Sequence, residues 1–374
     1  MKKIIPVISI FLAMLTLFSS TCIAMDNQVE ITEKTPLLKE DGSLTKPGYC
    51  FTNMYEYDRS AIKAGKSRIK EWDFYQVSND KYCFQMTIAD ISLGGAATVG
   101  IFDFETGEEL STMILDLFTF GSYDMSADAM SPHSYTFARR KFNLNVDVTE
   151  TVRTIKFEGK KGKNNIKIDL TMKMLPEHES LVMAVPFTDT CDNKHFYYNQ
   201  KVNCMETTGY VQFGDNYYEF KGKEDNSYCV LDWGRGVWPY HEVWWWGNGS
   251  TTLEDGSIFG FEIGWGFGDM SAASENTLFY NGKAHKIGIL TLENEKEVTK
   301  NWTGTTWKIT SDDGRFEMTM EPVFDHYTFL RFLFVGNICH QVFGKWNGYV
   351  ILDDGTKLEI HDMYAFLERS DNMW

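Results

Sequence analysis

Seven Asn-Gly or Asp-Gly dipeptides punctuate this chain, at positions 41–42, 248–249, 255–256, 281–282, 313–314, 347–348 and 354–355. These pairs supply the positive φ angles of tight hairpin turns, so their density favours antiparallel strands. The runs between them agree. KIDLTMKML (167–175), RFEMTMEPV (315–323) and KLEIHDMYAFLE (357–368) alternate apolar and polar residues. A period of two turns one face inward and the other outward. Long amphipathic helical patterns are hard to find. The chain is predicted to be all-β, built as barrels or sandwiches.

A repeat sharpens this. KEWDFYQVSNDKYCFQMTIADIS (70–92) resembles HEVWWWGNGSTTLEDGSIFGFEIGWG (241–266). GGAATVGIFDFETGEELSTMILDLF (94–118) resembles SAASENTLFYNGKAHKIGILTLEN (271–294). IKIDLTMKML resembles RFEMTMEPV, and ETTGYVQFGDNYYEF (206–220) resembles KWNGYVILDDGTKLEI (345–360). The order is the same in both halves, and the offset shrinks along the chain, so the second copy is shorter. Two related antiparallel β-barrel domains in tandem are predicted, 45–240 and 241–374, preceded by an arm over 25–44.

The first 24 residues read as a cleaved signal peptide, with Lys2 and Lys3, an apolar run from Ile4 to Phe18, and small residues before Met25. A retained anchor is the alternative, although the run is short for a span. So is a lipid on Cys22, although Ser19-Ser20-Thr21 makes a poor lipobox. No other stretch is apolar enough to cross a membrane. A secreted, periplasmic or cell-envelope location follows. Losing Lys2 and Lys3 takes the net charge from −16 to −18. Such a surface repels phosphate backbones, and no basic patch overrides it, which argues against nucleic-acid binding. Six cysteines remain. Cys191–Cys204 is the local disulfide candidate, free thiols in strands being the alternative. Histidine and cysteine spacings suggest no metal and no cofactor, and no phosphate-binding loop or nucleophile elbow is present.

A repeat separates residues the fold needs from residues that need another reason. Trp72 and Trp244 occur in both copies and read as barrel plugs. Gly209 and Gly348, each followed by Tyr-Val, read as structural. Polar residues confined to one copy are site candidates. Glu275 and Asn276 stand where the first copy has Thr98 and Val99. HFYYNQK (195–201) has no partner in the second copy and reads as a loop over a cavity or an exposed loop, with His195 and Tyr198 as ligand contacts. DWGRGVWPYHEVWWWG (232–247) aligns with HDMYAFLERSDNMW (361–374). Within it, Trp233, Arg235 and Trp238 suit a barrel seal, and Arg235 and Trp238 also suit ligand contact. Asp232, Glu242 and Glu275 are the candidate acids, with Tyr240 or His241 to relay a proton.

KEWDFY (70–75), HFYYNQK, LDWGRGVWPY (231–240), GFGDMSAASENTLFY (266–280) and LERSDNMW (367–374) together resemble the domain of unknown function 2804 family over most of the mature chain. More distantly, the layout is similar to the lipocalin-like calycin group, which includes two-barrel relatives of carotenoid hydratases and tocopherol cyclases. The resemblance implies lipocalin-like barrels. Glycines 234 and 236 stand where those relatives carry an acidic neighbour. Aromatic residues make up 15% of the chain, more than a core alone needs. Three functions fit: binding of an apolar lipid or isoprenoid in a barrel cavity, cofactor-free hydration or cyclisation of such a molecule, and carbohydrate binding or cleavage by an Asp269–Glu275 pair.

Overall fold

The computed structural model describes residues 28–188, 193–332 and 335–373. Residues 1–24, expected from the sequence to be a leader, and Cys191 lie outside the described residues. Strands make up 61% of the described residues and helix 4%. No helix among the described residues is long and apolar enough to cross a membrane.

Two antiparallel sheets curl into barrels, one per half of the chain. Across the first, the main path runs Glu109–Leu117, Gly94–Asp103, Tyr82–Asp90, Lys70–Ser78, Tyr228–Val237, Phe196–Phe213, Asn164–Lys173, Val152–Lys161, Phe142–Val148 and His133–Arg139. Across the second it runs Lys283–Lys286, Thr277–Tyr280, Ile258–Trp265, His241–Thr252, Lys357–Met373, Val335–Ile351, Phe316–Phe332, Trp307–Ser311 and Leu290–Leu292. The paths correspond strand for strand until the first adds its tenth member. Trp238, Pro239 and Tyr240 join the last strand of one sheet to the first strand of the other. The N-terminal arm ties both together: the Val29 amide donates to Ala272 O at 2.8 Å and the Tyr49 amide to Val29 O at 2.9 Å.

Local chemistry explains the turns and two exceptions. Asn281 and Gly282 have φ of 47° and 82° and close a two-residue hairpin, as a type I′ turn requires. Asn248-Gly249 instead lies inside the His241–Thr252 strand. Asn347-Gly348 marks a bulge, where the register slips between Trp346 and Gly348. Gly348 and Gly209 occupy the same place in the two copies, with φ of 146° and 129°. A Cβ at either would run into the carbonyl oxygen of Glu317 or Asp169 across the strand pair. Both positions therefore demand glycine.

The barrels are filled rather than hollow. Tyr75, Phe84, Leu144, Leu170, Tyr198 and Trp233 pack inside the first. Phe261, Trp307, Phe316 and Trp346 pack inside the second. Each fully buried large apolar side chain contributes roughly 1.5–3 kcal/mol. Two further apolar clusters join the barrels. Phe102 and Phe104 meet Trp246, Phe343 and Phe366 on one side. Met183, Tyr197 and Trp238 meet Ala273 and Phe279 on the other.

Several expectations shift here. HFYYNQK is neither lid nor loop: from Phe196 it is the start of a long central strand paired on both sides. Cys204 carries a free thiol at a bulge in that strand, with φ of 58°. Trp72 and Trp244 do not plug the barrels. They project from the outer faces of the sheets, toward the space between them.

Candidate functional site

Alternation along the strands decides which side chains reach that space. On Lys70–Ser78, Tyr75 and Val77 enter the first barrel, so Trp72 and Phe74 face the second. On Phe196–Phe213, Tyr198 enters the barrel, so Tyr197 and Lys201 face outward. The two outer faces enclose a cavity of about 400 Å³ between the barrels, a volume in the range of small-molecule sites. Six of the eleven tryptophans line it: Trp72, Trp238, Trp244, Trp245, Trp246 and Trp265. Trp72 stacks on Tyr197 at 6.0 Å and meets Trp238 edge-on at 5.5 Å. Gly234 makes this possible, because a Cβ there would land inside the Trp72 ring.

A polar cluster is set into this aromatic wall. Lys201 Nζ lies 2.9 Å from Asp232 Oδ1, 3.4 Å from Glu275 Oε1 and 4.1 Å from the centre of the Trp246 ring. Asp232 also accepts from Trp72 Nε1 at 3.0 Å and from Asn199 Nδ2 at 2.6 Å. The Tyr197 hydroxyl donates to Glu275 at 3.1 Å. On the facing wall, Glu368 accepts from Gln341 Nε2 at 3.1 Å and from the Cys339 thiol at 3.7 Å. Gln85 of the first barrel donates to Gln341 of the second at 2.6 Å. Behind Trp246, Glu262 accepts from its indole N–H at 3.0 Å and from Asn203 at 3.1 Å.

The internal repeat organises this cluster. Asp232 sits across the strand pairs from Phe74 and Lys201, and Glu368 from Trp246 and Gln341. Gly234 sits across from Trp72 and Asn199, and Ser370 from Trp244 and Cys339. The set Trp72, Asn199, Lys201 and Asp232 therefore corresponds to Trp244, Cys339, Gln341 and Glu368. The cavity lies between equivalent walls that differ in one decisive place. A lysine serves the carboxylate of one wall, and a neutral amide serves that of the other.

Their electrostatics differ accordingly. Burial opposes the charge on Lys201, but Asp232, Glu275 and Glu262 outweigh it and hold the ammonium above its ordinary value. Burial raises Glu275, with Asp232 adding to the rise and Lys201 opposing it. Burial lifts Glu262 well above the carboxylate range. Glu368 is pushed up to about 7, first by burial and then by the charge of Asp232. Its folded form thus binds a proton that the unfolded form releases between about 4.5 and about 7. The native state holds more protons in that window, so this group's contribution to stability falls as pH rises through it. Glu368→Gln is expected to remove a pH-dependent penalty on the order of 3 kcal/mol above neutrality. Chemical denaturation across that window checks this. Parallel curves for the two proteins would contradict it.

Among the sequence-derived candidates, the structure brings Asp232, Glu275 and Trp238 to the cavity. Arg235 is elsewhere, fully buried at the end of the first barrel, 3.0 Å from Asp73 and 3.8 Å from the Trp233 ring centre. Tyr198 faces the barrel interior, where its hydroxyl donates to Asn53 at 3.0 Å. Asn276 braces backbone, donating to Gly288 O and accepting from the Gly264 amide, both at 2.9 Å. Tyr240, His241 and Glu242 sit in or beside the inter-barrel connection and do not line the cavity, and His241 pairs with Asp371 at 2.9 Å. His195 does not line it either. Asp269 receives the Ser271 amide at 3.0 Å in a loop outside the cavity, so no Asp269–Glu275 pair is assembled. Lys201, Tyr197, Gln341 and Glu368 were missed. The repeat held a signal for Glu368, since aligning LDWGRG with LERSDN sets Asp232 against Glu368. Among the described residues, no cluster of three or more histidine, cysteine or acidic side chains is arranged to hold a metal ion.

Fold and site together define a tandem β-barrel protein with a polar-floored aromatic cavity between its barrels. The chain belongs to the DUF2804 family, described as a domain of unknown function, whose model matches residues 28–374. No curated protein matches the sequence. Among solved structures, a protein provisionally described as AttH from Nitrosomonas europaea is similar at 10% identity and a TM-score of 0.44, over 81% of this chain and 92% of its own. Kievitone hydratase from Nectria haematococca is similar at 10% identity and a TM-score of 0.45, over 91% of this chain and 98% of its own.

Proposed function

We propose that the protein binds a mostly apolar small molecule between its two barrels, rather than inside either one. The observation that carries this is the concentration of six tryptophans around one cavity, with the charged side chains Lys201, Asp232, Glu275 and Glu368 set into its wall. Apolar walls with few placed polar groups are the general form of a small-molecule site. Export belongs to the same proposal: residues 1–24 act as a leader, and N-terminal sequencing of the mature protein begins at Met25. The ligand test is gentle purification of the full mature chain, organic extraction and mass spectrometry. A stoichiometric apolar compound supports the reading. An empty extract from folded protein, with no binding of added lipids or isoprenoids, contradicts it.

One observation favours a second reading, in which the bound molecule reacts. Glu368 lines the cavity with a carboxyl that is half protonated near neutrality, while Asp232 opposite is ion-paired to Lys201. Two carboxyl groups in such different environments suit acid and base roles. Glu368 donates a proton to one carbon of an alkene, aromatic faces stabilise the cation, and water adds to the other carbon. The proton released by that water returns to the Glu368 carboxylate, so the net change is addition of water. Glu368→Gln then abolishes turnover while ligand is still bound. Unchanged turnover in that variant removes the reading.

A further inference from the structure

We infer that the polar end of the ligand is a protonated amine, held against tryptophan faces with its N–H groups directed to Glu368. This rests on the small-molecule reading above and names the class of ligand. The argument is an inventory of donors. Trp72, Asn199 and Lys201 donate to Asp232. Tyr197 donates to Glu275, and Gln341 and Cys339 to Glu368. The amide nitrogen of Gln85 serves Gln76 and Gln341. The donors of the cluster are thus turned onto the cavity's own acceptors, and a ligand carboxylate or phosphate would have to break that set apart.

A buried acceptor is left over as well. Asn372 lines the cavity, is 5% exposed, and its Oδ1 has no hydrogen-bond partner among the described residues. Such an atom costs roughly 1–3 kcal/mol until something donates to it. The charge count agrees. Among the lining residues, Lys201 faces three carboxyl groups, Asp232, Glu275 and Glu368, and the other basic one, His326, pairs with Glu109 at 3.2 Å. The aromatic wall is suited to a cation, since rings attract an ammonium over their faces. Lys201 already rests on Trp246 in this way and Lys70 on Trp238, and Trp72 and Trp244 are further rings in the cavity wall. A net charge of −16 also draws cations toward the protein.

The amine takes its counter-charge from Glu368, which gives up its proton on binding. Glu368 faces Asp232 and Lys201 from the first barrel, and Cys339, Gln341 and Trp244 in its own sheet. Affinity for an amine therefore rises with pH until Glu368 is ionised and then levels off.

Calorimetric titration of the full mature chain with octylamine, octanol and octanoate tests this. At about pH 8, octylamine is expected to bind at least about tenfold more tightly than octanol, with octanoate weakest. Glu368→Gln is expected to weaken octylamine by about tenfold and to flatten its pH dependence between about pH 6 and about pH 8. If that variant misfolds, the wild-type protein still decides: octylamine affinity drops about tenfold from about pH 8 to about pH 6. Equal binding of octylamine and octanol, tighter binding of octanoate, or a flat pH response overturns the amine and leaves the cavity reading standing. Failure of all three probes to bind overturns both.

Discussion

Arg235→Met is expected to destabilise the protein by about 3–5 kcal/mol, the usual cost of breaking a buried ion pair from one side. Arg235 is fully buried. Its guanidinium donates to Asp73 at 3.0 Å, to the carbonyl of Trp72 at 2.7 Å and to that of Ser126 at 2.9 Å, and it covers the Trp233 ring. Glu71 keeps Arg59 and Tyr57, each at 2.8 Å, when the arginine is gone. Asp73 does not, because its second oxygen already has no partner among the described residues. The loss therefore falls on one stranded carboxylate and on the two strands and one loop that the guanidinium fork ties together. Arg235→Lys keeps the charge and loses the fork, so an intermediate cost is expected. Denaturant titration measures both. A loss below about 1 kcal/mol for the methionine variant would show that this tie is not what closes the barrel end.

Lys201→Met is the counterpart in the cavity, with a similar expected cost of about 3–5 kcal/mol near neutral pH. It leaves Asp232 and Glu275 facing each other in a buried site without the ammonium now 2.9 and 3.4 Å away. The pH dependence has a definite sign. The folded ammonium titrates above its ordinary value, so its contribution is complete throughout the acidic and neutral range and is lost only at strongly alkaline pH. Glu275 is raised by burial even beside Lys201. Without the lysine it rises further and takes up a proton more readily, so the gap between wild type and variant narrows on acidification. Adding Asp232→Asn to Lys201→Met should restore much of the loss, a coupling read from the double-mutant cycle. Additive losses would mean that the ion pair is not the unit assumed here.

Much of the fold was legible because hairpin chemistry and alternation are local. Asn281-Gly282 needs only its own backbone angles to make a turn. Asn347-Gly348 reads the same way in isolation, yet it forms a bulge because the strands on either side continue their pairing. The repeat was legible because both copies keep the same strand order. The site was less so. Alternation separates Tyr197 from Tyr198 and Lys201 from Gln200, but it does not say which face meets a second barrel. Choosing Tyr198 over Tyr197 exchanged the barrel interior for the cavity. Trp72 and Trp244 were read as plugs for the same reason: being shared by both copies was taken to mean being inside one. They are shared because each forms half of a surface that exists only where the barrels meet.

The most direct test of the cavity between the barrels is titration of an apolar fluorophore, read by energy transfer from tryptophan, into wild-type protein and Ala89→Trp. Ala89 lines the cavity across the strand pair from Trp72, so an indole there fills the space without touching either barrel core. One fluorophore bound per chain in wild type, and none in the folded variant, is the predicted result. Equal binding by both proteins, or no binding by wild type, would contradict it.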